Sequence, residues 1–222
     1  MHYSIMEYKI RPVLVVIDIQ NSFMSTGGSF DKMGYDISKY HRVIPIIQEL
    51  YKKAKSLKIP VIFSQAIREK SGVDLVSRLH KILPKKRRER IKKVPICIRD
   101  TWDADIIKDI KPQDEDFVVE KRRDSIFQDT EFELWLKSLK ADTLIFTGVD
   151  TSICVESSLR DGFNKGWDVI LLSDATASLN DDFYDGTVAE VKENFGLVMK
   201  SEEVLSNLEK IGTNKFLLKV DD

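Results

Sequence analysis

Five short apolar runs, separated by longer segments with helical periodicity, restrict this chain more than any other feature of its sequence. The runs are PVLVVI (12–17), PVIFS (60–64), DFVVE (116–120), TLIFTG (143–148) and DVILLS (168–173), with FGLVM (195–199) as a plausible sixth. Strands that alternate with helices build an α/β fold around a parallel sheet. Parallel strands need right-handed crossovers, so the helices divide over both faces. The expected architecture is a three-layer α/β/α, Rossmann-like open parallel sheet of five to six strands.

The intervening segments support this. Residues 37–58 carry Val43, Ile46, Ile47, Leu50, Tyr51 and Leu57 on a stripe with the period of about 3.6 residues that marks a helix. Residues 129–140 repeat the pattern with Phe132, Leu134, Trp135, Leu136 and Leu139, and Asp129 or Thr130 is a candidate cap. A helix is expected over about 152–165, with Val155, Leu159, Gly162 and Phe163 on one face and Gly166 as its stop. Another is expected over 181–194. Residues 66–100 break the rhythm and read as an excursion near the site. Their basic cluster KKRRERIKK (85–93) is interrupted by Glu89 and has no interleaved aromatic to stack a base, so it reads as a solvated helical face.

Composition narrows the partner. The 222 residues are 42% hydrophobic, enough for one substantial core, so a single domain over 1–222 is expected. Lys and Arg total 35 against 36 Asp and Glu, a balance that gives no electrostatic reason to expect nucleic acid or a membrane surface as the main partner. A small molecule is the expected partner. No uncharged apolar run approaches the roughly 20 residues that cross a bilayer, and MHYSIMEYKIRP is too polar for a signal peptide, so a cytoplasmic protein is expected. The two cysteines, Cys97 and Cys154, form no disulfide framework, and His2, His41 and His80 lack a metal-ligand spacing. Neither metal nor other cofactor is expected.

Ligands of an open parallel sheet sit at the carboxyl ends of its strands. Three reactive side chains fall there: Asp18 after the first strand, Lys121 after the strand at 116–120, and Cys154 in the turn after the strand at 143–148. Each alone has an ordinary explanation, as a loop cap, a solvated cation and a small core residue. Together they form an activated nucleophile. The helix N-terminus and the ammonium would lower the thiol pKa, and the carboxylate would take its proton. Cys97, in VPICIRD, has no such neighbours in sequence and is assigned to packing. Phe23, Tyr35, Trp102 and Phe127 are candidates for a pocket wall, because small-molecule sites are lined largely by apolar and aromatic side chains.

At these residues the sequence resembles the isochorismatase-like cysteine hydrolases, a superfamily that includes nicotinamidases, N-carbamoylsarcosine amidohydrolases and ureidoacrylate amidohydrolases. The resemblance covers nearly the whole chain. The family's Asp falls on Asp18 of VIDIQNSF, its Lys on Lys121 of VVEKRRDSIF, and its nucleophile on Cys154 of GVDTSICV. Further stretches, QNSFMSTGGSFDKMGYDISKYHRVIPIIQEL, CVESSLRDGF and LLSDATAS, look most like the ureidoacrylate amidohydrolases. Where that subgroup carries an Asn and a Trp that help hold the ureido group, this chain has Ala66 and Arg68. The nicotinamidase Asp-x-His metal pattern is not matched.

The resemblance implies a cysteine-dependent amidohydrolase that cleaves a C–N bond of a small amide or carbamoyl compound and releases ammonia through a thioester. Asp18 would be the base, Lys121 the cation that stabilises the charge, and Cys154 the nucleophile. In relatives the position of Asp150 follows a cis peptide bond and is usually Ala. A cis Val149–Asp150 bond would turn the Asp150 N–H toward the thiol, to form an oxyanion hole with the Cys154 N–H. The Asp150 side chain would either cap the helix at Ser152 or point into the pocket, and the cap is the favoured reading. Phe23, Tyr35 and Phe127 would contact substrate. Relatives assemble as dimers or tetramers, so a homodimer or homotetramer is expected. The competing readings are a nicotinamidase-type or other small-amide hydrolase, a catalytically silent small-molecule-binding member of the same fold, and a phosphate or RNA binder built on residues 85–93.

Overall fold

Residues 12–17 alternate between two cores, and that alternation sets the layers. Val13, Val15 and Ile17 face one side and Leu14 and Val16 the other, and all are at most 3% exposed. A strand buried on both faces belongs in the middle of a covered sheet. A computed structural model describes residues 4–8, 10–74, 82–211 and 216–220. Its strands are β1 (Ser4–Tyr8), β2 (Pro12–Ile17), β3 (Val61–Ala66), β4 (Phe117–Lys121), β5 (Thr143–Val149), β6 (Asp168–Ala177), β7 (Leu197–Met199) and β8 (Phe216–Val220). Strands β2 to β7 form one six-stranded sheet in the order β4-β3-β2-β5-β6-β7, and every pairing in it is parallel. β1 and β8 pair antiparallel as a separate ribbon.

The longer helices are α1 (Ile44–Ser56), α2 (Lys85–Lys93), α3 (Phe132–Ser138), α4 (Glu156–Asn164), α5 (Asp181–Asn194) and α6 (Ser201–Ile211). α1 buries Ile47, Leu50, Tyr51 and Ala54 against the Leu14 face, where Val204 of α6 joins it. Phe132 and Leu136 of α3, Leu159 of α4 and Val191 of α5 cover the Val13 face. The three layers expected from the sequence are present, and FGLVM does supply the sixth strand.

Several local expectations change. Lys121 is the last residue of β4 rather than the first beyond it, and β6 runs four residues further than its apolar run, to Ala177. The helix expected from 152 begins as a π-helical turn, Thr151–Val155, before α4. Phe163 is not part of that helix's buried face: it is 43% exposed and meets Phe195 edge-on at 5.4 Å. α3 begins only at Phe132, although the hydroxyl of Thr130 does accept the Phe132 N–H at 3.3 Å. Gly166 ends α4 with φ +94, as a stop glycine should. The excursion at 66–100 returns to β3, where the Arg68 N–H donates to Cys97 O at 2.8 Å and the Arg99 N–H to Arg68 O at 2.9 Å.

The strand order reverses between β2 and β5, which is where an open sheet leaves a crevice at its carboxyl edge. β2 and β5 come unusually close there. Gly148, at φ +104, faces Ile17 so tightly that a Cβ would sit 2.0 Å from Ile17 O. Only glycine satisfies both the dihedral and the contact. The close approach holds the residue after β2, Asp18, beside the turn after β5.

Candidate active site

Asp18 leaves β2 with φ 49, a left-handed conformation that a short polar residue tolerates better than most. Its carboxylate is fixed from β3: Ser64 Oγ donates to Oδ1 at 2.6 Å and accepts the Asp18 N–H at 3.1 Å. Lys121 reaches across β3 from the end of β4 and sets Nζ 2.7 Å from Asp18 Oδ2, with both side chains 1% exposed. That contact is ionic rather than an aligned hydrogen bond, which leaves lone pairs on Oδ2 for another donor. Nζ also donates to the carbonyl oxygens of Arg123 at 3.1 Å and Asp124 at 2.9 Å. Burial works against the ammonium, yet Asp18 and then Cys154 outweigh it and hold the Lys121 pKa above its usual value.

Cys154 lies in the π-turn after β5, half-buried, where Lys121 and Asp18 both act on its thiol electrostatically. π-Turns are frequent at functional sites. Burial pushes this thiol well above its ordinary pKa; Lys121 pulls it down, and Asp18 and Asp124 push it up. The sequence expectation of a lowered thiol pKa is therefore corrected, because desolvation and two carboxylates outweigh one cation. At rest the sulfur is a neutral thiol beside a carboxylate that can accept its proton.

The Val149–Asp150 peptide is cis. The Asp150 side chain caps the following turn, with Oδ1 accepting the Ser152 N–H at 2.9 Å. It does more than cap. Oδ1 also accepts Ser152 Oγ at 2.8 Å and Ser178 Oγ at 2.6 Å, while Oδ2 accepts the Tyr40 hydroxyl at 2.7 Å and the Leu179 N–H at 3.2 Å. Five donors tie this carboxylate to the ends of β5 and β6 and to Tyr40, which is fully buried. Burial, then Asp150, raise the Tyr40 pKa, so its hydroxyl stays protonated.

The aromatic candidates divide. Phe23 meets Phe30 edge-on at 4.8 Å, and Phe30 lies 5.0 Å from Tyr35 and 6.5 Å from Tyr40, so Phe23 and Tyr35 share one aromatic cluster with Tyr40. Phe127 instead packs in the core beneath α3 and α4, 4.7 Å from Phe132 and 5.5 Å from Trp167. Phe127 is core packing rather than pocket wall, 8% exposed among Phe132, Leu136 and Leu159. Trp102 is half-exposed and lines a surface cavity of about 590 Å³ with Asn21, Gln65 and Asp105. Cys97 is 1% exposed, burial pushes its thiol up to about 12, and it accepts a hydrogen bond from Gln20 Nε2 at 3.7 Å.

Sequence reasoning missed Ser64, Gln20, Tyr40 and Asp124. The only polar residue of PVIFS is Ser64, and a polar side chain closing an apolar strand is a signal worth reading. Gln20 stands in the same VIDIQNSF stretch as Asp18, and its fully buried amide fastens the loop by bonding Ala66 O at 2.9 Å and Ala104 O at 2.6 Å. His41 bonds Met24 O at 2.6 Å, whereas His2 and His80 lie outside the described residues. Among the described residues, no group of three or more His, Cys, Asp or Glu side chains could hold a metal ion, and no helix is long and apolar enough to cross a membrane.

Comparison with known proteins places the chain in a family. Residues 12–203 match the Isochorismatase domain. The chain is 32% identical over 206 residues to ureidoacrylate amidohydrolase RutB of Pseudomonas savastanoi pv. phaseolicola, covering 90% of this chain and 84% of that protein. It is 33% identical over 204 residues to the protein of the same name from Serratia proteamaculans, covering 88% and 82%. Its fold is similar to the crystal structure of a cysteine hydrolase from Pseudomonas syringae pv. phaseolicola 1448A, with a TM-score of 0.81 at 24% identity over 95% of this chain and all of that one. On the extent of the domain match, the six-stranded parallel sheet and the curated relatives, this chain belongs to the isochorismatase domain family.

Proposed function

We propose that this protein is a cysteine-dependent amidohydrolase, a hydrolase of non-peptide C–N bonds that releases ammonia from a small amide or carbamoyl compound. The observation that carries the reading is the buried Lys121–Asp18 pair, 2.7 Å apart, against the Cys154 thiol. A buried ion pair is weak evidence for stability, since desolvation offsets its attraction. Beside a thiol it has a chemical use.

Asp18 takes the thiol proton, and Lys121 balances the negative charge that then sits on sulfur. The thiolate attacks the carbonyl carbon and forms a C–S bond. The carbonyl oxygen becomes an oxyanion, held by the backbone N–H groups of Asp150 and Cys154; one such donor is typically worth about 10² to 10³ in rate. Collapse breaks the C–N bond, Asp18 returns its proton to nitrogen, and ammonia leaves a thioester. Water, deprotonated by Asp18, then attacks the thioester and sulfur regains its proton. With a ureido substrate the product is a carbamate, which loses carbon dioxide. Phe23 and Tyr35, in the aromatic cluster that includes Tyr40, are the aromatic residues assigned to substrate contact.

Ammonia release from ureidoacrylate, N-carbamoyl amino acids, biuret and nicotinamide tests the reading. Release from a carbamoyl compound is the expected result, and ureidoacrylate belongs in the panel because it is named for the curated relatives. Silence across the panel, with Cys154 folded and alkylatable, would favour a non-catalytic binding protein.

A further inference from the structure

Asp124 is a second carboxylate at the thiol, and the scheme above leaves it unused. Its Oδ1 lies 4.0 Å from Cys154 Sγ, the outer limit of an S–H···O contact. Its backbone carbonyl accepts Lys121 Nζ at 2.9 Å, which fixes the residue to the same ammonium that pairs with Asp18. Unlike Asp18 it is exposed to solvent. The neighbouring cations turn away: Arg122 pairs with Glu69, and Arg123 Nη1 donates to the carbonyl oxygens of Arg122 at 2.9 Å and Asp74 at 3.5 Å. Among the described residues the thiol is the sole protein donor to the Asp124 carboxylate, and no Lys or Arg pairs with it. The sulfur therefore stands between a buried carboxylate that holds a cation and an open one that holds none.

We propose that Asp124 is a substrate-recognition residue: it accepts a hydrogen bond from an N–H on the scissile carbonyl and keeps anionic substituents away from the solvent side of the thiol. The proposal rests on Cys154 as the attacking group. The nitrogen of an amide or ureido group is one bond, about 1.33 Å, from the carbon that the sulfur attacks. A carboxylate 4.0 Å from that sulfur is within reach of its N–H. A hydrogen bond to a charged acceptor is stronger than one between neutral groups, and a substrate carboxylate in the same place would meet a like charge. The substrate class is a neutral carbamoyl or primary amide group that presents N–H at Asp124, with any acidic substituent held beyond it.

Iodoacetamide and iodoacetate test this directly, because they share a reacting carbon and a leaving group and differ in a neutral amide against a carboxylate. Their rates on Cys154 are measured by peptide mass in the whole chain, wild type and Asp124→Asn. A change in the thiol's own pKa alters both rates alike, so their ratio isolates recognition. The expected result is a wild-type preference for iodoacetamide that narrows about tenfold in Asp124→Asn, chiefly through faster iodoacetate. An equal ratio in the two proteins, or no labelling of Cys154 by either reagent in either protein, overturns the proposal. The measurement needs no turnover, so it can fail while ammonia release succeeds, or succeed while ammonia release fails. With an active neutral carbamoyl compound, the variant is expected to lose about tenfold in kcat/KM through KM.

Discussion

Lys121→Met removes ammonia release, shifts the alkylation of Cys154 to higher pH and destabilises the fold. The direction of the pH shift follows from the site's charges. Lys121 is the group that pulls the thiol pKa down, while burial, Asp18 and Asp124 push it up, so its removal leaves only upward influences. Iodoacetamide labelling of the variant, followed over a pH series, should rise later than in wild type. The loss of stability comes from Asp18, 1% exposed and left without its cation, and breaking such a pair typically costs about 3 to 5 kcal/mol. Because the Lys121 pKa is raised in the folded protein, its stabilising effect is fully present below the unfolded lysine value of about 10.4 and is lost only as pH rises through the higher folded value. Denaturant unfolding of wild type and variant at neutral pH reads this difference. Equal stability together with an unshifted labelling profile would contradict the electrostatic account.

Cys154→Ala is expected to reduce ammonia release by more than about 10³ and to leave the fold intact. The two effects separate because the side chain is half-buried and small, and the turn that carries it is held by other groups. The N–H groups of Ile153 and Val155 both bond Asp150 O, at 3.2 and 3.1 Å, and the Asp150 carboxylate is held by its own five donors. Nothing in that scaffold uses the sulfur. Thermal unfolding should therefore show a Tm within a few degrees of wild type, while the ammonia assay falls to background. A variant that kept full activity would remove Cys154 from the mechanism.

The sequence was most informative where topology amplifies it. A parallel sheet presents the residues at its strand ends along one edge, so Asp18, Lys121 and Cys154 could be read as neighbours although more than a hundred positions separate the first from the others. The burial of the thiol could not be read in this way. A cysteine in the first turn of a helix suggests a lowered pKa, and only the packing around it shows that desolvation prevails. Phe127 and Phe163 depart from their expected places for a related reason: an aromatic residue suits a core, a pocket or a surface contact, and composition does not choose between them. Asp150 was legible as a cap because its chemistry is local, two residues from the N–H it accepts. Its bond to Tyr40, 110 positions away, was not. Asp124 had no signal at all, since an aspartate in a loop usually needs no partner but water.

The most direct test of the central claim is intact-mass analysis of acid-quenched protein during turnover of whichever carbamoyl compound releases ammonia. Attack by Cys154 predicts a transient added mass equal to the substrate less ammonia, carried on the peptide that contains Cys154 and absent from Cys154→Ala. Turnover without any such adduct, or an adduct carried on another residue, would contradict it.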